Sequence, residues 1–359
     1  MDLDFEKAPA ETGSPSDRVD YKGPMAPVIV RLCEEYQLGT PLMFDSIKTG
    51  CEDCNIHLQT REEKDGEIPE SKEYVVKMFS SSRTKEEVER YVATTNKAIE
   101  AGVNHPPLHK TSNGELVFKD PETNISMVAM DFVQGKNYQE KKRPPYREEI
   151  TEIIRQARII NSMDYKPEYI FDGWAIPNID AMYKRTLPFL SPMDRALAQK
   201  ALFEYRKIPI HDLPRCFVHG DLTKANIVKG VDGETSILDF SVSNYYPRIQ
   251  ELAVIATNLL QDERIHQKEH KERENLSLGE ITKHLVRTYN RKNEKPLNDK
   301  EIAYLYQYSL AGAAMWLMGG YLEKSKKNGN KIEGDRLIQL GHDVLMEEIN
   351  RIGYRSTRI

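Results

Sequence analysis

Apolar and polar positions repeat with two different periods along the first part of the chain. Between residues 26 and 38 the apolar positions recur at helical spacing, and the pattern stops at Gly39, a residue type that often ends helices. From 43 to 79 the pattern changes to the two-residue alternation of strands, with Asp65 and Gly66 as a turn. These patterns predict a short helix followed by a β-meander.

A second helical period covers residues 83–103, starts with acidic residues, and ends at Gly102 before two prolines. Two strand-like runs follow at 114–120 and 125–135, and the charged, proline-rich stretch 141–148 then marks a boundary. The pattern therefore predicts a small α+β unit that ends near Gly135.

The rest of the chain is mostly helical in its periodicity. We predict helices at 148–162, 179–187, 192–207, 249–262, 278–291, 299–322 and 335–352. The exception is the segment 217–240, where three short β-prone runs include a tight turn at Asp232 and Gly233. A charged run at 266–275 is typical of a solvated linker.

Composition narrows the class of protein. The chain is 39% hydrophobic and 30% charged, with 56 acidic against 51 basic residues, so no basic excess favours nucleic acid or an anionic membrane. Residues 1–24 are acidic and lack an apolar core, which predicts a disordered tail rather than a targeting peptide. Four unevenly spaced cysteines favour a reducing compartment, and we expect a cytoplasmic protein.

One segment offers an alternative to a soluble protein. Residues 302–322 carry no charge and approach the length that a bilayer requires. The same segment contains three glycines and four tyrosines, and a helix that is apolar on all sides also occurs at the centre of a large domain. We favour a buried core helix over a membrane span.

The chemistry is concentrated in the sequence "CFVHGDLTKANIV", which begins at Cys216. Asp221 and Asn226 are five positions apart, and Asp239 follows at the end of an apolar run. Separately, such residues often occupy turns and helix caps. Together, a carboxylate that can face a hydroxyl and two oxygen ligands suited to Mg²⁺ are what phosphoryl transfer requires, because its catalysis rests on positioning and charge neutralisation.

The pattern H-G-D-L-x-x-x-N, followed by a hairpin and I-L-D-F, resembles the catalytic segment of the aminoglycoside phosphotransferase and choline kinase-like superfamily. The resemblance implies a bilobal, protein-kinase-like α+β fold, with a small β-rich N-terminal lobe at 25–135 and a larger helical lobe at 136–359. ATP would lie between the lobes. Asp221 would be the catalytic base, Asn226 and Asp239 would hold Mg²⁺, and His219 would support the loop.

The resemblance also predicts nucleotide-binding residues in the first lobe. Lys77, in the alternating strand "EYVVKMF", would contact phosphates, although a solvent-facing strand lysine is the simpler explanation of the strand alone. A glutamate of the next helix would pair with it, and among three candidates we choose Glu89. Gly50 and Asn55 stand where the phosphate-covering hairpin belongs, and the backbone of Asp131 and Val133 would bind adenine.

Other assignments remain open for some of these residues. Cys51, Cys54 and His57 have partial zinc-site spacing, but a structural zinc needs four ligands and no second pair follows. In relatives an acidic residue precedes Leu-Ala after the catalytic segment, and here it is Glu251. Four aromatic residues could line a pocket for a cationic acceptor or belong to the core: Trp174, Tyr304, Tyr308 and Trp316.

The sequence therefore predicts an ATP- and Mg²⁺-dependent phosphotransferase that acts on a hydroxyl of a small molecule, such as an aminoglycoside-type antibiotic or an amino alcohol. The alternative is a kinase-fold scaffold without catalysis, since the phosphate loop has few glycines and Ser241 follows Asp-Phe. A protein kinase is disfavoured because H-R-D, D-F-G and A-P-E motifs are absent from the sequence.

Overall fold

The computed structural model describes residues 19, 21–47, 53–62, 70–262, 276–326 and 329–356. Within these ranges the chain forms two compact units. The first runs to Glu100 and continues with His105–Gln134, and the second comprises Ala101–Asn104 and the chain from Gly135 onward. The sequence placed this boundary after residue 135, one position later.

The first unit is built on an antiparallel five-stranded sheet in the order β1-β2-β3-β5-β4. Its strands are β1 (Thr40–Ile47), β2 (Cys54–Glu62), β3 (Glu70–Met78), β4 (Phe118–Lys119) and β5 (Ser126–Asp131). Helix α1 (Met25–Tyr36) precedes the sheet and α2 (Lys85–Glu100) follows β3. Strand β3 lies in the middle of the sheet, with Asn55 opposite Lys77 and Val128 opposite the same lysine on the other side.

The two faces of this sheet bury different apolar sets. On one face, alternate residues of β2 and β3, including Ile56, Leu58 and Val76, pack with the buried positions of α1. On the other face, Val128 and Met130 pack with Val88, Tyr91 and Val92 of α2. The period-two alternation that predicted the strands thus places one set under each helix.

The second unit is mainly helical, and the α+β fold class predicted from the sequence is confirmed. Its helices are α3 (Arg147–Ser162), α4 (Ile179–Thr186), α5 (Pro192–Tyr205), α6 (Ile249–Val254), α7 (Leu278–Asn290), α8 (Asp299–Ser325) and α9 (Lys331–Ser356). Short 3₁₀ turns lie at Ile176–Asn178 and Ile210–Asp212. Helices α7 and α8 begin with capping boxes at Ser277 and Asn298, which satisfy backbone donors in the first turn.

Two small sheets complete this unit. β6 (Gly135–Asn137), β8 (Ile227–Gly230) and β9 (Thr235–Ile237) form an antiparallel sheet in the order β6-β8-β9. β7 (Arg215–Val218) pairs with β10 (Asn244–Pro247) in a two-stranded ribbon. The three runs predicted between 217 and 240 correspond to β7, β8 and β9, whereas β6 and β10 were not predicted.

Helix α6 does not continue to residue 262 as the periodicity predicts. It changes into a π-helical turn at Ile255–Leu259, which is completely buried. Such turns carry an extra residue and are frequent at functional sites. The Asn258 side chain in this turn accepts a hydrogen bond from the Lys224 amide at 3.1 Å, so the turn contacts the predicted catalytic loop.

The long uncharged segment lies within α8, whose middle is buried in the second unit. Helix α9 packs closely against it, because a Cβ at Gly341 would lie 2.5 Å from the backbone oxygen of Ala313. Within the described ranges, no helix combines the length with the apolar content that a bilayer crossing requires.

Several sequence predictions fall on residues outside the described ranges: Gly50, Cys51, the Asp65-Gly66 turn, the linker at 266–275, and most of the predicted tail. Val19 and Tyr21, which belong to that predicted tail, pack against the core beside α1. Cys33 and Cys216 are free thiols. Burial raises the pKa of Cys33 to about 12 and raises that of Cys216 as well.

Candidate active site

The loop between β7 and β8 brings two of the predicted catalytic residues into direct contact. The Asn226 side-chain nitrogen donates to the Asp221 backbone oxygen at 3.0 Å and to its carboxylate oxygen Oδ2 at 2.6 Å. The backbone of Asn226 in turn accepts from the Leu238 amide, which fixes the segment before Asp239. Because the amide nitrogen is bound to Asp221, the side-chain oxygen of Asn226 is the atom left to act as a metal ligand.

Asp239 completes this group electrostatically. Its backbone has φ = 67°, a left-handed conformation that is uncommon outside glycine and frequent at functional sites. Its carboxylate accepts a hydrogen bond from the Ser241 amide at 3.3 Å. Desolvation, and after it the negative charges of Asp239 and Asp172, raise the pKa of Asp221 to about 7, against opposing hydrogen bonds from Asn226 and Thr223.

Asp172 is a member of this acidic group that sequence reasoning missed. It lies in the loop after α3 and is only 6% exposed. Its carboxylate accepts a hydrogen bond from the Trp174 amide at 2.8 Å. The segment around it has no motif spacing to the catalytic loop, so no local signal could have identified it.

His219 has the supporting role that the resemblance implies. Its Nδ1 accepts from the Asp221 amide at 3.2 Å, and its Nε2 bonds to the Leu238 carbonyl at 3.0 Å. Since a carbonyl only accepts, this arrangement requires the proton on Nε2 and the acceptor lone pair on Nδ1. The ring of His219 therefore links Leu238, the residue before Asp239, to the backbone of Asp221.

Glu251 of α6 binds the backbone of the same loop. It is fully buried, and its carboxyl group accepts a hydrogen bond from the His219 amide. Burial raises the pKa of Glu251 to about 8, although the amides of His219 and Gly220 favour the charged form. The sequence indicated this acidic position, and the structure shows that it holds the backbone that carries Asp221.

Lys224 lies inside the loop and is 3% exposed. Its Nζ donates to the Gln261 carbonyl at 2.6 Å, just after the π-helical turn. The ammonium group therefore stabilises carbonyls at the end of that turn, where a cation is favoured. This contact gives Lys224 a structural explanation within the loop.

The residues present fit a divalent cation. The side-chain oxygen of Asn226 and the carboxylate of Asp239 are hard oxygen ligands, and Mg²⁺ commonly takes one or two protein carboxylates and fills its octahedron with water and phosphate oxygens. Asp239 and Asp172 place negative charge near Asp221, since both raise the pKa of its carboxyl group after the larger effect of desolvation. Among the described residues, no group of three or more His, Cys, Asp or Glu side chains is arranged to hold a metal.

In the first unit, Lys77 does not have the partner predicted for it. The Lys77 ammonium is 3.1 Å from Oδ2 of Asp53, and both side chains are almost completely buried. The Glu89 carboxylate is 59% exposed and pairs with Lys85 at 3.4 Å, because its position on α2 faces solvent rather than the sheet. Asn55 is opposite Lys77 across β2 and β3, as expected for a neighbour on the same face.

The predicted hinge residues lie at the end of β5. The Phe132 amide donates to the Glu73 carbonyl at 3.1 Å, and the Asp131 carboxylate contacts His109 Nε2 at 2.8 Å. The Phe132 ring packs on the ring of His57 with 4.3 Å between centroids. An open groove of about 490 Å³ in this unit is lined by residues that include Glu73, Tyr74, Asp131, Phe132 and Gln134.

The aromatic residues considered for a pocket have mixed environments. Tyr308 is fully buried and its hydroxyl donates to Gln250, so it belongs to the core. Trp174 and Trp316 are half-buried neighbours with 6.1 Å between ring centroids. The Trp316 indole donates to the Thr257 hydroxyl at 2.9 Å, which ties this pair to the π-helical turn.

Comparison with protein families decides the assignment. Residues 56–284, which include most of β2 and all of β3, the catalytic loop and Asp239, match the model of the phosphotransferase enzyme family. The chain belongs to this family. The match confirms the resemblance to aminoglycoside phosphotransferases that the catalytic segment indicated. The chain is a member of a family of phosphotransferase enzymes.

Solved structures of other phosphotransferases share the fold. An amicoumacin kinase in complex with AMP-PNP, Ca²⁺ and Ami superposes with a TM-score of 0.61 at 12% identity, covering 89% of this chain and 92% of that one. The spectinomycin phosphotransferase APH(9)-Ia in complex with ADP and spectinomycin gives 0.60 at 10% identity, covering 89% and 97%. The choline kinase LicA from Streptococcus pneumoniae gives 0.56 at 12% identity, covering 90% and 99%.

At identities of 10–12% the similarity shows the fold of this chain alone. The substrates named for those enzymes are statements about those enzymes. Among curated proteins, no sequence matches this chain.

Proposed function

We propose that this family member is an ATP- and Mg²⁺-dependent kinase that phosphorylates a hydroxyl group of a small organic molecule. The observation that carries the proposal is the hydrogen bond from the Asn226 amide to the Asp221 carboxylate, with Asp239 close enough to raise the pKa of Asp221. A structural turn would not need two mutually repelling carboxylates beside a fixed amide.

In this proposal Asp221 accepts the hydrogen bond of the acceptor hydroxyl and takes its proton as the hydroxyl oxygen bonds to the γ-phosphorus of ATP, while the bond from that phosphorus to the departing ADP breaks. Desolvation and the charges of Asp239 and Asp172 raise the pKa of Asp221, which favours proton acceptance, because a general base works best when its pKa lies near the working pH. His219 and Glu251 hold the loop backbone, so the carboxylate is oriented before substrate binds.

The side-chain oxygen of Asn226 and the carboxylate of Asp239 would hold the metal. Mg²⁺ supplies positive charge that neutralises the phosphate oxygens during transfer. The amide of Asn226 keeps its nitrogen on Asp221, so the same residue connects the base to the metal-binding position. The Ser241 amide restrains the Asp239 carboxylate.

The first unit would hold the nucleotide. Lys77 is the cation expected to contact phosphates, with Asn55 beside it, and the backbone at Asp131 and Val133 would bind the base. The groove that Asp131 and Phe132 line in this unit supports a ligand at the end of β5. Glu89 has no part in this proposal.

The acceptor belongs to the class of small hydroxylated molecules. The solved relatives include a spectinomycin phosphotransferase, a choline kinase and an aminopropanol kinase, so an aminoglycoside-type antibiotic or an amino alcohol is the acceptor proposed here. We also propose a cytoplasmic location, which the free and buried thiol of Cys33 favours.

The deciding experiment incubates the purified protein with ATP, Mg²⁺ and a panel of hydroxylated metabolites and antibiotics. Mass spectrometry should show one acceptor gaining about 80 daltons, the mass of a phosphoryl group. Asp221→Asn should lower the rate by about 10²–10⁴-fold. The matched control is Asp232→Asn, at an exposed turn position, and it should leave the rate unchanged. Nucleotide binding without transfer to any acceptor would favour the scaffold alternative.

A further inference from the structure

A buried acidic side chain of the first unit, Asp53, lies one residue before β2. It is 4% exposed, and among the described residues its carboxylate contacts Ser80, Arg83 and Lys77. Oδ1 accepts from Arg83 Nε at 2.9 Å and from the Ser80 amide at 3.1 Å. Oδ2 accepts from Arg83 Nη2 at 3.1 Å and lies 3.1 Å from Lys77 Nζ.

These contacts fix the carboxylate before it meets the lysine. The guanidinium of Arg83 binds both oxygens as a fork, and such bidentate pairs are strong and directional. The Ser80 amide adds a backbone anchor from the turn that follows β3. The oxygen that contacts Lys77 therefore has little freedom of its own.

Helix α2 offers no comparable acid to Lys77 in the structure. The Glu89 carboxylate points to solvent and pairs with Lys85, and Glu87 accepts from the Thr84 amide at the start of the helix. The residue of α2 that does approach the lysine is Tyr91, whose ring centroid is 5.1 Å from Nζ. The helix thus supplies an aromatic face to the cation rather than a carboxylate.

We propose that Asp53 is the positioning residue for Lys77, in the role predicted for a glutamate of α2. The inference rests on the proposed function of Lys77 as a phosphate-contacting cation. In this arrangement the Asp53 carboxylate holds the Lys77 ammonium by an ion pair of 3.1 Å, and the Tyr91 ring of α2 contacts the same ammonium. No proton moves, and the contribution of Asp53 is geometric.

The pairing can be tested without any activity. Asp53→Asn and Lys77→Met should each raise the unfolding equilibrium constant by about 100-fold or more, as expected when one member of a buried ion pair is removed. The double variant should be more stable than the sum of the two losses predicts. The control is Glu100→Gln, which replaces an exposed acid at the end of α2 and should leave the unfolding equilibrium constant unchanged.

The catalytic role is tested with Mg·ATP, using hydrolysis as the turnover reaction while the acceptor is unidentified. Asp53→Asn should lower kcat about 100-fold, the cost of a misplaced contact group, with a much smaller change in the KM for ATP. In the Lys77→Met background the same substitution should cost no further kcat. Asp53→Glu, the milder variant, should fold if Asp53→Asn does not, and should recover part of the turnover.

Three outcomes separate the hypotheses. Independent losses of kcat from Asp53→Asn and Lys77→Met would overturn the inference, because Asp53 would then not act through the lysine. A loss in Glu89→Gln equal to that of Asp53→Asn would return the role to α2. Failure of the wild-type protein to bind Mg·ATP would refute the proposed function of Lys77, while the stability coupling would still report whether the pair exists.

Discussion

The protonation of Glu251 gives the sharpest test of how the catalytic loop is held. Burial raises the pKa of this carboxyl group to about 8, against a value of 4.5 in the unfolded chain. Below pH 4.5 both states are protonated. Between about pH 4.5 and 8 the unfolded chain loses the proton and the folded protein keeps it, so stability falls as pH rises, by up to about 1.4 kcal/mol per pH unit.

Glu251→Gln removes this titration while keeping an oxygen that accepts from the His219 amide. At pH 5 we expect the variant to match the wild type in free energy of unfolding. At pH 7 it should be more stable by up to about 3 kcal/mol, the product of roughly 2 pH units and the slope above. Above pH 8 the difference should stop growing.

Glu251→Ala is the contrasting variant, because it removes the acceptor as well as the charge. At pH 5 it should lose about 1–3 kcal/mol for the orphaned His219 amide, plus the cost of a cavity. Urea unfolding followed by tryptophan fluorescence suits both variants, since Trp174 and Trp316 lie in the same unit as α6. A Glu251→Gln variant that is less stable than the wild type by the same amount from pH 5 to 8 would show an ionised carboxylate and refute the reasoning.

Three further predictions concern the second unit and the metal. Arg248 pairs with the fully buried Glu301, so Arg248→Met or Glu301→Gln alone should cost about 3–5 kcal/mol in urea unfolding, and the double variant, which leaves neither charge buried, should recover much of it. Gly341→Ala should lower the melting temperature because its Cβ would meet the backbone of α8, whereas Gly279→Ala, with no atom closer than 3.9 Å, should be neutral. Chelation should abolish transfer, and added Mg²⁺ should restore it.

The catalytic loop could be predicted from sequence because its chemistry is local. Asp221 and Asn226 share one loop, and Asp239 follows a hairpin whose strands show in the apolar pattern. The long helices α8 and α9 were predicted for the same reason, although their ends differ by a few residues. Periodicity within one segment sufficed for these elements.

The remaining features depend on contacts between distant segments. Strand β10 exists because Asn244–Pro247 pairs with β7, and four residues carry too little periodicity to predict it. The partner of Lys77 was wrongly placed on α2 because helical spacing cannot show which side faces the sheet. Asp172 reaches the catalytic group only through the tertiary fold, and the π-helical turn has no apolar signature distinct from that of α6.

Two thiols give the protein internal reporters of unfolding, one in each unit. Cys33 is buried in the first unit, and the half-buried Cys216 lies in the second. Because thiolate is the reactive form, the raised pKa values keep native Cys33 and Cys216 unreactive toward alkylating reagents. In a Cys51→Ser variant, the time at which each peptide becomes alkylated in urea would measure the opening of each unit separately, in one sample and without an added label.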